Sequence, residues 1–298
     1  MSLTSTDPAH ASDPFEVGST AMKDEDHNSI PSVRVTLNPN GIRAPLDKLL
    51  SESLENVSVG LAAVENYSSA AASRLPSEYV RFTYSQPVEP GKRLPRREVQ
   101  RRKENFKLWL LTRGFEECSK ALLASLRQAY LYVEVVKLPG RTTAGELTSA
   151  IEAIRRKAAR LNFPQLIDAV IAGLTEQPLL VEHVHSINKV RNCLEHRNGT
   201  VSQIDVNDDT TNSLVLKWRR MRLVVLSKDG EERDLVVPSV VEGGSAIAVR
   251  FEDRAKTFAL GEAISLTAAE FNDVAFTCQA FASEVVSKLP ELPQAPAS

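Results

Sequence analysis

An arginine can hold a phosphate and a histidine can move a proton, and the segment Val181–Val201 carries both, as Arg191 and His196, with Asn192 between them. On a regular helix Asn192 and His196 stand four apart and share a face, so the amide is placed to hydrogen-bond the imidazole and fix its tautomer. Arg191 lies five before His196, roughly 140° around the axis of a regular helix. The two therefore meet on one phosphate only where the helix loosens at its end or where a second copy of the chain contributes. The chemistry open to such a pair is cleavage of an RNA phosphodiester without a metal. His196 would act as base on the ribose 2′-OH or as acid on the leaving 5′-oxygen, while Arg191 stabilises charge growing on the phosphoryl oxygens, leaving a cyclic phosphate. DNA, lacking the 2′-OH, would be spared. A plainer role competes: Arg191 and Glu195 are four apart and can simply pair on a solvated face, worth a few tenths of a kcal/mol.

The element that must carry these residues is a helix opening near Pro178, with Leu180, Val184, Ile187, Val190 and Leu194 as its apolar stripe and Asn198-Gly199 as a left-handed stop. Upstream, residues 1–40 are rich in Ser, Asp, Thr, Asn and Pro and read as a disordered tail. Residues 41–90 read as a helical extension and linker, with apolar residues from Leu46 to Val64 at helical spacing, a break at Gly60, and Gln86–Gly91 as the linker. The main domain spans 91–290 and begins with a basic cluster, Lys92, Arg93, Arg96, Arg97, Arg101, Arg102 and Lys103, relieved only by Glu98. With Arg197 it is the candidate contact for an RNA backbone, against the plainer alternative of a solvated helix start.

The helix that follows runs to about Leu138 and stops at Pro139-Gly140; Trp109, Phe115 and Tyr130 fall at core spacing, although aromatics there could also stack on bases. Two further helices follow. One covers Ala144–Asn162, and Asn162 with Pro164 caps a short second one. From about 213 to 261 the period changes to two, giving one hairpin turned at Lys228-Asp229-Gly230 and a second, short one from Ala246–Phe251 and Thr257–Leu260. Lys217, Arg219, Arg220 and Arg222 put a second basic cluster on the first hairpin, an RNA clamp or a charge-protected edge. Thr267 and Glu270 form a capping box for the last helix, and residues 291–298 read as a second disordered tail. The fold expected is mainly α, a helical bundle with a small antiparallel β-hairpin insertion before its last helix.

With 36 basic against 38 acidic side chains, the chain as a whole advertises neither nucleic acid nor an anionic membrane, so any basic footprint is local. Three separated cysteines suit buried thiols, not a disulfide framework. No apolar run approaches the roughly 18 residues of a membrane span and the N-terminus lacks a signal-peptide pattern, so a cytoplasmic protein without membrane contact is expected. His183 and His185 lack companions at ligand spacing, and no phosphate-cradling glycine loop or nucleophile motif is present. Neither metal nor cofactor is expected.

Arg191-Asn192 followed by His196, late in an apolar helix of an otherwise helical domain, resembles the HEPN superfamily, whose signature is an arginine, often a polar residue such as Asn, and a histidine a few residues later. The resemblance covers about Glu98 to Leu289, and its specific part is the motif. It implies a HEPN-like bundle that forms a homodimer, with a composite, metal-independent endoribonuclease site at the interface, in bacterial toxin, phage-defence or RNA-processing settings. Arg191 and His196 then become the catalytic pair and Asn192 the polar helper. The superfamily also contains non-catalytic members, so the same resemblance admits an interaction module that regulates a protein partner.

Overall fold

The computed structural model of the protein describes residues 15–18, 34–52, 54–66, 96–138, 143–227, 230–235 and 246–291. The expected linker at Gln86–Gly91, Lys92 and Arg93 of the basic cluster, the Pro139-Gly140 stop, the Lys228-Asp229 turn and most of the two expected tails lie outside these residues. Within the first tail, β1 (Phe15–Gly18) and β2 (Arg34–Leu37) pair as an antiparallel ladder. Then come α1 (Asn40–Glu52), α2 (Leu54–Asn66), α3 (Arg96–Val136), α4 (Ala144–Arg160), α5 (Phe163–Ile171) and α6 (Val181–His196). The strands β3 (Ser213–Leu226), β4 (Glu232–Asp234) and β5 (Ala246–Ala259) precede α7 (Ala268–Ser287). The protein is thus mainly helical, with a three-stranded antiparallel sheet of order β4-β3-β5 before its last helix. Among the described residues no helix is long and apolar enough to cross a membrane.

Local signals set most helix ends. Asn162 caps α5 through a reciprocal box with Gln165, with Pro164 in its first turn, and Thr267 caps α7 by accepting from the Glu270 backbone N–H at 3.1 Å. Thr143 and Glu146 form the same box at α4. The break expected at Gly60 is not found there, since Gly60 lies inside α2. A side chain there would come within 3.1 Å of Leu110, so the glycine serves close packing and not chain reversal.

The chain divides into two compact units. One comprises Met1–Leu50, Cys118–His185 and Thr277–Ser298, and its core includes Leu46, Leu122, Leu126, Val133, Leu166, Ile167, Val184 and Phe281. In it, Glu284 accepts the backbone N–H groups of Leu179 and Leu180 at 2.7 and 3.3 Å, a carboxylate cap for the start of α6. The other unit comprises Ser51–Glu117 and Ser186–Phe276 and holds the motif. Its core gathers Leu61, Leu111, Phe115, Val190, Cys193, Leu214, Leu216, Phe258 and Phe271, with the Phe115 and Phe271 rings tilted at 5.9 Å.

Of the two hairpins expected after Gly199, the first is present, with β4 pairing against the end of β3, whereas the second is replaced by a single strand, β5, that forms one long ribbon with β3. β3 and β5 pair without interruption from Ser213↔Ala259 to Leu226↔Ala246, and β4 adds to the far end of β3. The charged stretch between the two apolar runs of β3 continues the strand because its charges find partners across it. Arg219 is bidentate to Asp253 at 2.8 and 3.2 Å, and Arg222 bonds Asp234 and Glu252.

Candidate active site

The motif sits on the last turns of α6 in the second unit. Burial follows the helix period: Val190, Cys193 and Leu194 face the core, Arg191 and Asn192 are half-buried, and Glu195 and His196 are exposed. Burial pushes the Cys193 thiol up to about 11, helped by Asp205, so this cysteine is not a thiolate nucleophile near neutrality.

The helix ends where Asn198 (φ 50°) and Gly199 (φ 71°) turn left-handed, and the N–H groups of Arg197 and Gly199 both donate to the Cys193 carbonyl, at 3.0 and 3.1 Å. Gly199 is required twice over, since a Cβ there would also lie 2.5 Å from Leu108 Cδ1 on α3. The motif thereby abuts the helix that begins with the basic cluster.

Arg191 and Asn192 are joined directly: Arg191 Nη1 donates to Asn192 Oδ1 at 3.0 Å. This engages the Asn192 Oδ1, and the Asn192–imidazole bond expected from their spacing is not formed among the described residues. Arg191 also pairs with the Glu195 carboxylate one turn on, as its plainer role requires, and its Nε is buried with no hydrogen-bond partner among the described residues. His196 makes no hydrogen bond or ion pair among the described residues. One chain thus joins arginine, asparagine and glutamate, and leaves the imidazole open to solvent.

Arg197, expected to touch RNA, is committed elsewhere. Its guanidinium holds Asp205 through Nε at 2.6 Å and through Nη2, and Asp205 also accepts from Ser202 N and Oγ at 3.0 and 2.8 Å. Burial opposes ionisation of Asp205, but the bonds from Arg197 and Ser202 outweigh it and hold the carboxyl below its ordinary range. This buried ion pair pins the loop after the motif.

In the basic cluster, Arg96, Arg97, Arg101 and Arg102 are exposed on the first turns of α3, while Lys103 is half-buried and partnered. Arg101 and Arg102 share Glu98, and their hydrogen bonds hold its carboxyl at about 2. The positive field survives, reduced by one charge. On the same helix, Trp109, placed by spacing in the core, is instead 57% exposed and stacks in parallel at 5.9 Å on Phe106, itself 50% exposed. Phe115 and Tyr130 are buried as expected. The i,i+3 spacing of Phe106 and Trp109 gives them a common face, but only packing reveals that it looks outward. On the ribbon, Arg219 and Arg222 are consumed by the cross-strand pairs, and no group of three or more His, Cys, Asp or Glu among the described residues is placed to hold a metal ion. Comparison of the chain with protein-family models, with curated proteins and with solved structures returns no match.

Proposed function

We propose that the protein is a metal-independent endoribonuclease of HEPN type that cleaves RNA by attack of a ribose 2′-OH on the neighbouring phosphorus, and that it acts as a homodimer. The observation that carries this reading is the solvent-open, uncommitted imidazole of His196 on the same helix end as Arg191. In the proposed reaction the 2′-oxygen bonds to phosphorus, the P–O5′ bond breaks, and His196 takes the 2′ proton or supplies the proton to the departing 5′-oxygen. Arg191 exchanges Glu195 for the phosphate and stabilises the charge on its non-bridging oxygens. A single His196 cannot be base and acid in one step, so the second copy contributes the other group. Arg96, Arg97, Arg101 and Arg102 attract the backbone, and the Phe106–Trp109 stack offers unpaired bases a platform.

One observation favours a second reading, a non-catalytic HEPN-like module that regulates a partner: Arg191 already gives Nη1 to Asn192 and Nη2 to Glu195. The two readings separate in an RNase assay of the purified full chain with mixed-sequence RNA in EDTA. The enzyme reading expects 2′,3′-cyclic phosphate ends, intact DNA, a loss of about 10²–10⁴-fold in His196→Ala, and a gain of roughly two- to fivefold in Glu195→Gln, which releases a surface ion pair from Arg191. RNA left intact by both the wild type and Glu195→Gln refutes catalysis and leaves the module.

A further inference from the structure

A cleft of about 470 Å³ opens in the second unit, lined by Trp218 and Arg220 of β3, Arg254 of β5, and Glu270, Asn272 and Asp273 of the first turns of α7. The register puts Trp218 opposite Arg254 and Arg220 opposite Glu252, and the two-residue period of a strand aims all four side chains to one face. Lys256 anchors the ribbon to the helix by donating to both oxygens of Glu270 at 3.0 and 3.1 Å. Glu270 is therefore neutralised, and it also closes the capping box of α7 by accepting the Thr267 N–H at 2.7 Å.

The remaining groups do not balance. Arg220 is exposed and makes no hydrogen bond or ion pair among the described residues. Arg254 gives only Nη2 to Glu252, which already receives Arg222. The Trp218 indole is only 5% exposed, and its buried Nε1–H lies near Asp273 without completing a hydrogen bond to any described residue. A buried donor left in this way costs about 1–3 kcal/mol unless a ligand or water takes it. Asp273, the acid among these donors, is held above its ordinary range by burial, against the opposing influence of Arg220, Trp218 and Arg254 and with Glu270 adding to the rise. A carboxyl so placed turns readily from acceptor to donor. The first turn of a 20-residue helix adds its positive end to the same space.

We propose that this cleft binds a phosphate monoester, with Arg220 and Arg254 clasping the phosphoryl oxygens and the Trp218 N–H donating to one of them. Several donors converge from two strands and a helix end. That suits a tetrahedral group with three free oxygens and close to two negative charges better than a carboxylate with two oxygens and one charge. The volume exceeds what a phosphate fills, which leaves room for the alcohol it esterifies. Asp273 adds a donor where it is protonated and repels the phosphoryl group where it is ionised, so affinity falls as rising pH ionises it in the presence of Arg220, Arg254 and the Lys256-paired Glu270. None of these residues belongs to the RNA-cleavage motif, and the proposal stands without it.

The chain contains two tryptophans, so Trp109→Phe leaves Trp218 as the sole indole and makes its fluorescence a direct report on the cleft. In that full-length variant, inorganic phosphate and a 5′-mononucleotide are titrated against sodium chloride of equal ionic strength. A saturable change in Trp218 emission is expected with both probes. Affinity higher for the mononucleotide identifies the ester as the ligand, whereas equal affinity assigns the site to free phosphate. Arg220→Gln, at an exposed position that does not endanger the fold, weakens binding about tenfold. Asp273→Asn, whose amide keeps a donor and carries no charge, retains binding and removes the fall in affinity at rising pH, leaving only the dependence set by the ligand's own ionisation at about pH 6. Emission that responds no more to phosphate than to chloride, or Arg220→Gln binding as the parent does, overturns the proposal.

Discussion

Gly199 terminates the helix that carries His196, and replacing it with alanine separates two costs that usually travel together. Its φ of 71° places a Cβ in the left-handed region, at about 1 kcal/mol for a non-glycine residue. The same Cβ would stand 2.5 Å from Leu108 Cδ1, so the leucine must leave its rotamer or α3 must yield. A half-buried leucine moves at the low end of overpacking costs, about 1 kcal/mol. Gly199→Ala therefore destabilises by about 2 kcal/mol.

Gly261 supplies the control. Its φ is 79°, but nothing lies within 4 Å of its missing Cβ, so Gly261→Ala carries only the backbone cost of about 1 kcal/mol. Urea unfolding of the two variants, compared by midpoint at constant slope, reads the difference. Leu108→Ala removes the obstructing atom, and in that background Gly199→Ala should lose about 1 kcal/mol less than in the wild type, the coupling a double-mutant cycle measures. Equal losses at Gly199 and Gly261, or no coupling with Leu108, would refute the contact between the motif's end and α3.

Two further outcomes follow from the packing and charge of the second unit. Gly114 lies inside α3, where alanine ordinarily gains about 1 kcal/mol. Its Cβ would meet the buried Phe271 ring at 2.4 Å and Val57 at 3.0 Å, so Gly114→Ala should instead show a net loss of about 1 kcal/mol by chemical denaturation, turning to a gain in a Phe271→Leu background. Asp205 has a folded value below its ordinary 3.8. Its ionised form therefore contributes stability above that ordinary value, and the contribution is lost as pH falls through the lower folded value. Asp205→Asn should cost about 3 kcal/mol at pH 7 in unfolding experiments, with the gap to wild type closing below about pH 4; a gap that does not change with pH contradicts the pairing with Arg197.

The features legible in the sequence are those that a few consecutive residues determine. The Asn198-Gly199 stop, the Asn162 and Thr267 caps and the apolar stripe of α6 each depend on neighbours within a turn or two, and each lies where spacing placed it. The β3–β5 pairing of the ribbon was not legible, because the counter-charges of Arg219 and Arg222 come from Asp253 and Glu252, about thirty positions away. A run of cations reads as a site for a polyanion until its counter-charges arrive from the partner strand. Trp109 fails for a related reason: α3 runs for 41 residues and contributes to both units, so helical spacing marks several faces of it without saying which one meets a core. The Trp218–Asp273 cleft had no sequence signal, since the two residues lie on elements joined only in the fold.

The end of α6 holds two arginines whose carboxylate partners differ in one decisive respect. Asp205 is fully buried and its oxygens take four hydrogen bonds, from Arg197 and Ser202, so removing Arg197 strands a charge that cannot be hydrated. Glu195 is exposed, and a surface pair of its kind holds by no more than about 1 kcal/mol. A phosphate, with more charge and two oxygens for the guanidinium fork, can displace Glu195 from Arg191, whereas nothing in water competes for Arg197. Arg191 is thus the exchangeable cation and Arg197 the structural one, although the sequence presents them as near neighbours of the same type. It follows that a loss of RNA cleavage in an Arg191 variant reports on chemistry, while the same loss in an Arg197 variant reports first on the loop that Asp205 holds in place.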